Sequence, residues 1–134
     1  MKRKVRQLLI ENLKSGRYKQ SVWIINPLNI GCVRLRTDCN HFSVLGVLCD
    51  MFHRIEKKGI WIQEQDIWTF KVKRKGKNYD YLLPTEVNVW SGVNGQEEEL
   101  LEQLQTNKSF QEIQLILESN YEPRTNEDKS DNPS

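Results

Sequence analysis

Cys32, Cys39, His41, Cys49 and His53 fall within 22 residues of one another, and thiolate and imidazole are the ligands that zinc prefers. On a helix, Cys49 and His53 stand at i and i+4 and share a face. A tight Cys-x2-Cys knuckle, the usual mark of a zinc site, is absent, and a cysteine at the edge of an apolar stripe behaves as a small hydrophobe. The sequence is therefore read as carrying no metal and no other cofactor. Nucleophilic catalysis would draw on the same residues, with Cys39 or Cys49 beside His41 or His53 and Asp50 orienting the base. The local signatures that surround catalytic cysteines are missing, so no catalytic residue is assigned. Gly76, Gly92 and Gly95 read as turn and cap residues rather than as a phosphate loop.

Two further groups could bind without reacting. Lys71, Lys73, Arg74, Lys75 and Lys77 crowd one hairpin with Trp61, Trp68, Tyr79 and Tyr81 nearby in sequence. Cations interleaved with aromatics can grip phosphates and stack bases, although lysines on a hairpin also guard a sheet edge against pairing. Arg17, Tyr18, Gln20, Arg34, Arg36 and Asp50 flank the most apolar segment. If they converge, their guanidinium groups suit a carboxylate or phosphate, which makes a small anionic, nucleotide-like ligand the expected occupant. In the alternative, Asp50 pairs with an arginine for structure alone.

These side chains must be positioned by the elements between them. Val5, Leu8, Leu9 and Leu13 predict a helix over about residues 2–15, ended by Gly16. Residues 21–25 favour a strand and residues 32–36 alternate like a second, so a loop or a β-hairpin is expected there. Asn40 is the expected cap of a second helix that turns Phe42, Leu45, Leu48, Phe52 and Ile55 to one side and ends at Lys57-Lys58-Gly59. Ile60-Trp61-Ile62 reads as a strand; Trp68, Phe70 and Val72, resumed by Tyr79 and Tyr81, read as a hairpin with a cationic tip. Pro84 opens a short helix with Val87 and Trp90 inward and Gly92 as its stop, and residues 97–105 form another that buries Leu100, Leu101 and Leu104. Ser109-Phe110-Gln111-Glu112 is a capping box for a last helix that turns Phe110, Ile113, Ile116 and Leu117 inward. The expected fold is α+β: a small antiparallel sheet with a central apolar helix and surrounding helices, over residues 1–119. Residues 120–134 contain no aliphatic side chain, and burial there cannot offset the entropy of ordering, so a disordered tail is expected.

The order of these pieces is similar to that of an uncharacterised family of short phage, prophage and bacterial proteins. The resemblance lies in Gly16-x-Tyr18-x-Gln20, Leu35-Arg36, Phe42-x-x-Leu45-Gly46-Val47-Leu48-Cys49-Asp50, Leu83-Pro84-x-Glu86-Val87-x-x-Trp90 and Ser109-Phe110-x-Glu112-Ile113, covering roughly residues 1 to 118. It implies a compact α+β domain from a phage or mobile element and brings no activity with it. Members often carry a cysteine pair where Ser43 and Val44 stand here.

Composition sets the outer limits. Three cysteines are too few and odd in number for a disulfide framework, and no apolar run reaches the roughly 20 residues a membrane helix needs. A cytoplasmic protein with no membrane partner is expected. The net charge of +2, about +4 without the acidic tail, is modest for a dedicated nucleic-acid domain. The resulting expectation is a non-enzymatic, phage-type accessory protein that binds a host protein or a small anionic ligand, in counter-defence or host takeover. The rival readings are a nucleic-acid binder using residues 71–77 and a cysteine- or metal-dependent enzyme.

Overall fold

The computed structural model describes residues 1–21, 34–65 and 67–119 of the chain. Helix α1 spans Arg3–Lys14, with Val5, Leu9, Ile10 and Leu13 buried along one stripe. The chain then turns through Gly16 into the short strand β1 (Lys19–Gln20), which pairs in parallel with β2 (His41–Phe42).

Helix α2, Val44–Glu56, is the centre of the core. Val44, Val47, Leu48, Cys49 and Met51 are all fully buried, because α1, α3, α4 and β2 surround the helix and leave it little polar face. Its cap is Ser43, whose Oγ accepts from the Gly46 N–H at 3.0 Å, rather than the expected Asn40. Asn40 adopts a left-handed φ of 62°, which asparagine tolerates, and its carboxamide oxygen accepts two bonds from Arg36 at 2.8 and 3.1 Å. That turn frees His41 and Phe42 to act as a strand. The helix ends as expected, with Lys57 left-handed, but Ile55 faces outward and is 44% exposed.

Two glycines are required by close approach. A Cβ on Gly46 would lie 1.8 Å from the Leu35 carbonyl oxygen, so the backbone at Leu35 runs directly across the helix. Gly59, at φ +74°, leaves room for the Phe70 ring, whose tip would come within 2.5 Å of a Cβ.

Strands β3 (Ile60–Glu64) and β4 (Ile67–Lys71) form an antiparallel hairpin in which Trp61 faces Phe70 across the ladder. The expected hairpin joined Trp68–Val72 to Tyr79–Tyr81; only Tyr79 joins that ladder, through one bridge to Phe70. The tighter turn after Glu64, with Gln65 left-handed, captures the main pairing instead. Most of the anticipated earlier strand pair, residues 22–33, and the expected tail, residues 120–134, lie outside the described residues. At the margin of that pair, Arg36 bridges Phe42 antiparallel. The architecture is α+β, and the strands among the described residues form two two-stranded sheets.

Helix α3 (Thr85–Ser91) follows Pro84 and stops at the left-handed Gly92. Helix α4 (Gly95–Asn107) is capped by Asn94, and helix α5 (Phe110–Ser119) packs on α1. Leu101 is buried in α4 as expected, but Leu100 is outside, and the inward place one turn on is taken by Gln105. That carboxamide donates to the Ser21 carbonyl and accepts from the Val44 N–H, both at 3.1 Å. Gln20 behaves similarly, donating to Lys108 O at 2.7 Å and accepting from Phe110 N at 2.8 Å. The N-terminal ammonium pairs with both Glu97 oxygens at 2.7 Å beside the fully buried Met1 side chain. No described helix is long and apolar enough to cross a membrane.

The Ser109–Glu112 box closes in both directions at 3.1 Å, and the bonds to Ser109 hold the Glu112 carboxyl below its ordinary value. A depressed carboxyl stabilises fully above the ordinary glutamate range and loses its contribution as pH falls through the folded value. The Glu112→Gln variant is expected to flatten that part of the acid limb in a pH series of urea unfolding; an unchanged slope refutes the assignment. Gly46→Ala is expected to destabilise the fold by about 3 kcal/mol, since the opposing carbonyl is backbone and cannot swing aside. Urea denaturation monitored by circular dichroism measures it, and a loss below about 1 kcal/mol would contradict the close approach.

Candidate functional site

The polar residues picked out by sequence divide into a network and its outliers. Asp50 leaves α2 one turn before Arg54 and meets Tyr18, which β1 and the preceding turn bring across from the other side. Its Oδ2 accepts from the Tyr18 hydroxyl at 2.5 Å and from Arg54 Nε at 3.3 Å, and its Oδ1 accepts from Trp61 Nε1 at 3.0 Å. Arg54 Nη2 also donates to the Tyr18 oxygen at 2.8 Å and to Asn12 Oδ1 at 3.1 Å. Three segments, α2, the turn before β1 and β3, thus meet at one carboxylate, and α1 joins through Asn12 and Arg54. Burial, and then the bond to Asp50, push the Tyr18 phenol far above the usual tyrosine range. A carboxylate that already accepts three donors, one of them charged, has little capacity left for a ligand.

Arg36 lies next to this network and is engaged differently. Its guanidinium carbon sits 3.8 Å from the centroid of Trp68 and within 5.4 Å of those of Phe42 and Trp61, while two of its nitrogens bond Asn40. Burial lowers its pKa against the opposing pull of Asp50. The remaining three residues do not converge. Arg34 pairs with Asp80 at 3.3 Å on the surface, Gln20 ties β1 to the α4–α5 junction, and Arg17 is exposed after α1. The anticipated cluster of free guanidinium groups is therefore not assembled, because each inner arginine has an intramolecular partner.

The cysteines and histidines are also dispersed. Cys49 is fully buried, and burial pushes its thiol well above the ordinary value, the opposite of an activated nucleophile. The His53 ring nitrogen Nδ1 lies 2.6 Å from the Gly59 carbonyl, and Cys39 is exposed on the Asn40 turn. Among the described residues, no three histidine, cysteine or acidic side chains gather as a metal site; Cys32 lies outside them.

An open hollow among the described residues lies elsewhere, between the end of α2, the strand residues beyond β4 and α3. It measures about 610 Å³; Phe52, Val72, Val89 and Trp90 form its apolar part, and Glu56, Lys58, Lys73 and Glu86 its rim. Trp90 is held edge-on to Phe52 with centroids 5.5 Å apart, while Val89 projects outward and is 69% exposed. Two smaller hollows share Val72 and Lys73 with it and extend the trough along the hairpin. Of the cationic residues singled out by sequence, Lys71, Lys73, Arg74 and Lys77 line one or more of the three, and Lys75 is exposed at the same tip.

Residues 1–130 match the family model of a domain of unknown function, DUF8296. The chain belongs to that family. The match agrees with the expectation of an uncharacterised family. The chain matches no curated protein and no solved structure.

Sequence reasoning about this family member missed Arg54, Trp61 and Asn12 in the network, and Glu56, Lys58 and Val89 in the trough. Arg54 was detectable, since i, i+4 spacing from Asp50 places the two on one helical face. Trp61 and Asn12 carry no local signal, as only tertiary packing aims them at Asp50.

The network has a pH signature. A phenol raised in the folded state stabilises fully below the ordinary tyrosine value, about 10, and the contribution is lost as pH rises beyond it. Tyr18→Phe is expected to cost about 1 kcal/mol at neutral pH through the lost hydrogen bonds, and to remove part of the alkaline fall in stability. Urea unfolding between neutral and alkaline pH checks both; a variant with an unaltered alkaline limb excludes Tyr18 as its source.

Proposed function

We propose that this DUF8296 protein is a non-enzymatic binding protein whose working surface is the trough between α2, the segment after β4 and α3, and whose partner is another protein. The observation that carries this reading is an open hollow of about 610 Å³ with an apolar floor and a charged rim, in a molecule whose Asp50 carboxylate is already taken up by partners within the chain. Concave apolar surfaces with a few polar groups at the edge are the usual geometry of recognition. A small anion is less well served, because Arg34, Arg36 and Arg54 are each committed within the chain. A phage-type accessory role in counter-defence or host takeover is supported by the resemblance of the sequence motifs.

Nucleic-acid binding is the second reading, favoured by the cations along the same trough. Its stacking platform is weak. Trp61 donates to Asp50 with its ring edge-on to Phe70 at 4.8 Å, and Trp68 is covered by Arg36. Base stacking requires an open aromatic face.

A photo-crosslinking amino acid at position 89 tests the reading in the cells that make the protein. It is expected to give a defined adduct that the same probe at Leu115, exposed on α5, does not give. The adduct's partner, purified, should bind the wild-type chain and not Val89→Asp. Equal adducts from both positions, or a purified partner indifferent to Val89→Asp, would refute the assignment.

A further inference from the structure

Resting on the reading of the trough as a protein-docking surface, we infer that its occupant is an acidic peptide segment carrying one large apolar anchor side chain. Two independent features select this chemistry. The floor is built from apolar groups, with the Trp90 ring held edge-on to Phe52 and Val72 beside them, and the exposed Val89 stands at its edge, in a hollow of about 610 Å³ with room for a large apolar side chain. Filling it removes apolar surface on both partners from water.

The second feature is charge. Lys58, Lys71, Lys73, Arg74 and Lys77 line the joined hollows, and Lys75 stands at their tip, against only Glu56 and Glu86. Within the central hollow Lys58 and Lys73 are balanced by Glu56 at the end of α2 and Glu86 on α3, and the positive surplus lies on the hairpin side, at Lys71, Arg74 and Lys77. The contact that partly offsets it, Lys73 to Glu86, is long at 3.7 Å, with the lysine 76% exposed. A surface pair of this kind is worth little and exchanges readily for an incoming carboxylate. Acidic residues flanking the anchor would meet the lysines, speed encounter and set the register, while basic flanks would be repelled. Glu56 and Glu86 within the central hollow oppose a polyphosphate backbone, whereas a peptide can place its neutral anchor beside them and its carboxylates outside.

Selection from a random peptide display library on the wild-type chain, counter-selected on Val89→Asp, tests the inference. Enriched peptides are expected to share one aromatic or branched aliphatic residue and an excess of aspartate and glutamate around it. The best of them, measured by fluorescence anisotropy, should bind at least about tenfold more weakly to the K73E, R74E, K75E variant and lose affinity as salt rises. Enrichment of neutral or basic peptides overturns the acidic chemistry and leaves the trough reading standing. No enrichment over Val89→Asp, alongside a successful crosslink at position 89, also overturns this inference alone; failure of both removes the two together. Salt-sensitive retention on duplex DNA that the triple variant abolishes, without peptide enrichment, assigns the surface to nucleic acid and overturns the inference. Circular dichroism and thermal unfolding of each variant confirm that these exposed substitutions leave the fold intact.

Discussion

The contact between the Leu35 carbonyl and Gly46 is the constraint around which the domain is arranged. Helix α2 is covered on nearly every side, and one of its covers is bare backbone, admitted only because position 46 has no side chain. With that crossing in place, Arg36 comes alongside Phe42, the Asn40 turn closes, and His41–Phe42 are delivered to β1. Ser43 then begins the helix where the crossing ends. A protein interior packed to crystal-like density has little slack with which to accommodate even one added methyl group here.

Asp50 illustrates how a residue can bear the marks of a binding site and serve structure. It is a carboxylate near arginines, a tyrosine and a tryptophan, all types enriched in recognition. In this molecule these groups face one another, and the network joins α1, the turn before β1, α2 and β3. A charge with several matched donors costs less to keep partly buried than an unpaired one. The open surface lies where the residues are individually plain: valines, a threonine, and lysines at the hairpin.

What was legible in the sequence was what local chemistry decides. The Ser109–Glu112 box, the stop at Gly92 and the apolar character of α2 each depend on residues within a turn or two of one another. Asn40 misled because asparagine serves both caps and left-handed turns, and its carboxamide is held by Arg36 four residues before it rather than by the helix that follows. Leu100 misled because the inward position on α4 went to Gln105, a polar residue buried for two long-range hydrogen bonds. The trough was only partly visible: its cations form a run along the chain, but its floor draws Phe52, Val72 and Trp90 from three separate segments. Periodicity identifies a face and does not say which faces meet.

Gln20 and Gln105 have a consequence for motion. Each presents a primary amide that donates and accepts like a peptide unit, and together they join the chain near β1 and the start of α2 to the α4–α5 region across sequence separations of 61 to 90. Fraying at one end of the molecule thereby exposes unmet donors at the other. Opening of either stretch therefore carries the cost of the groups it leaves unmet in the other.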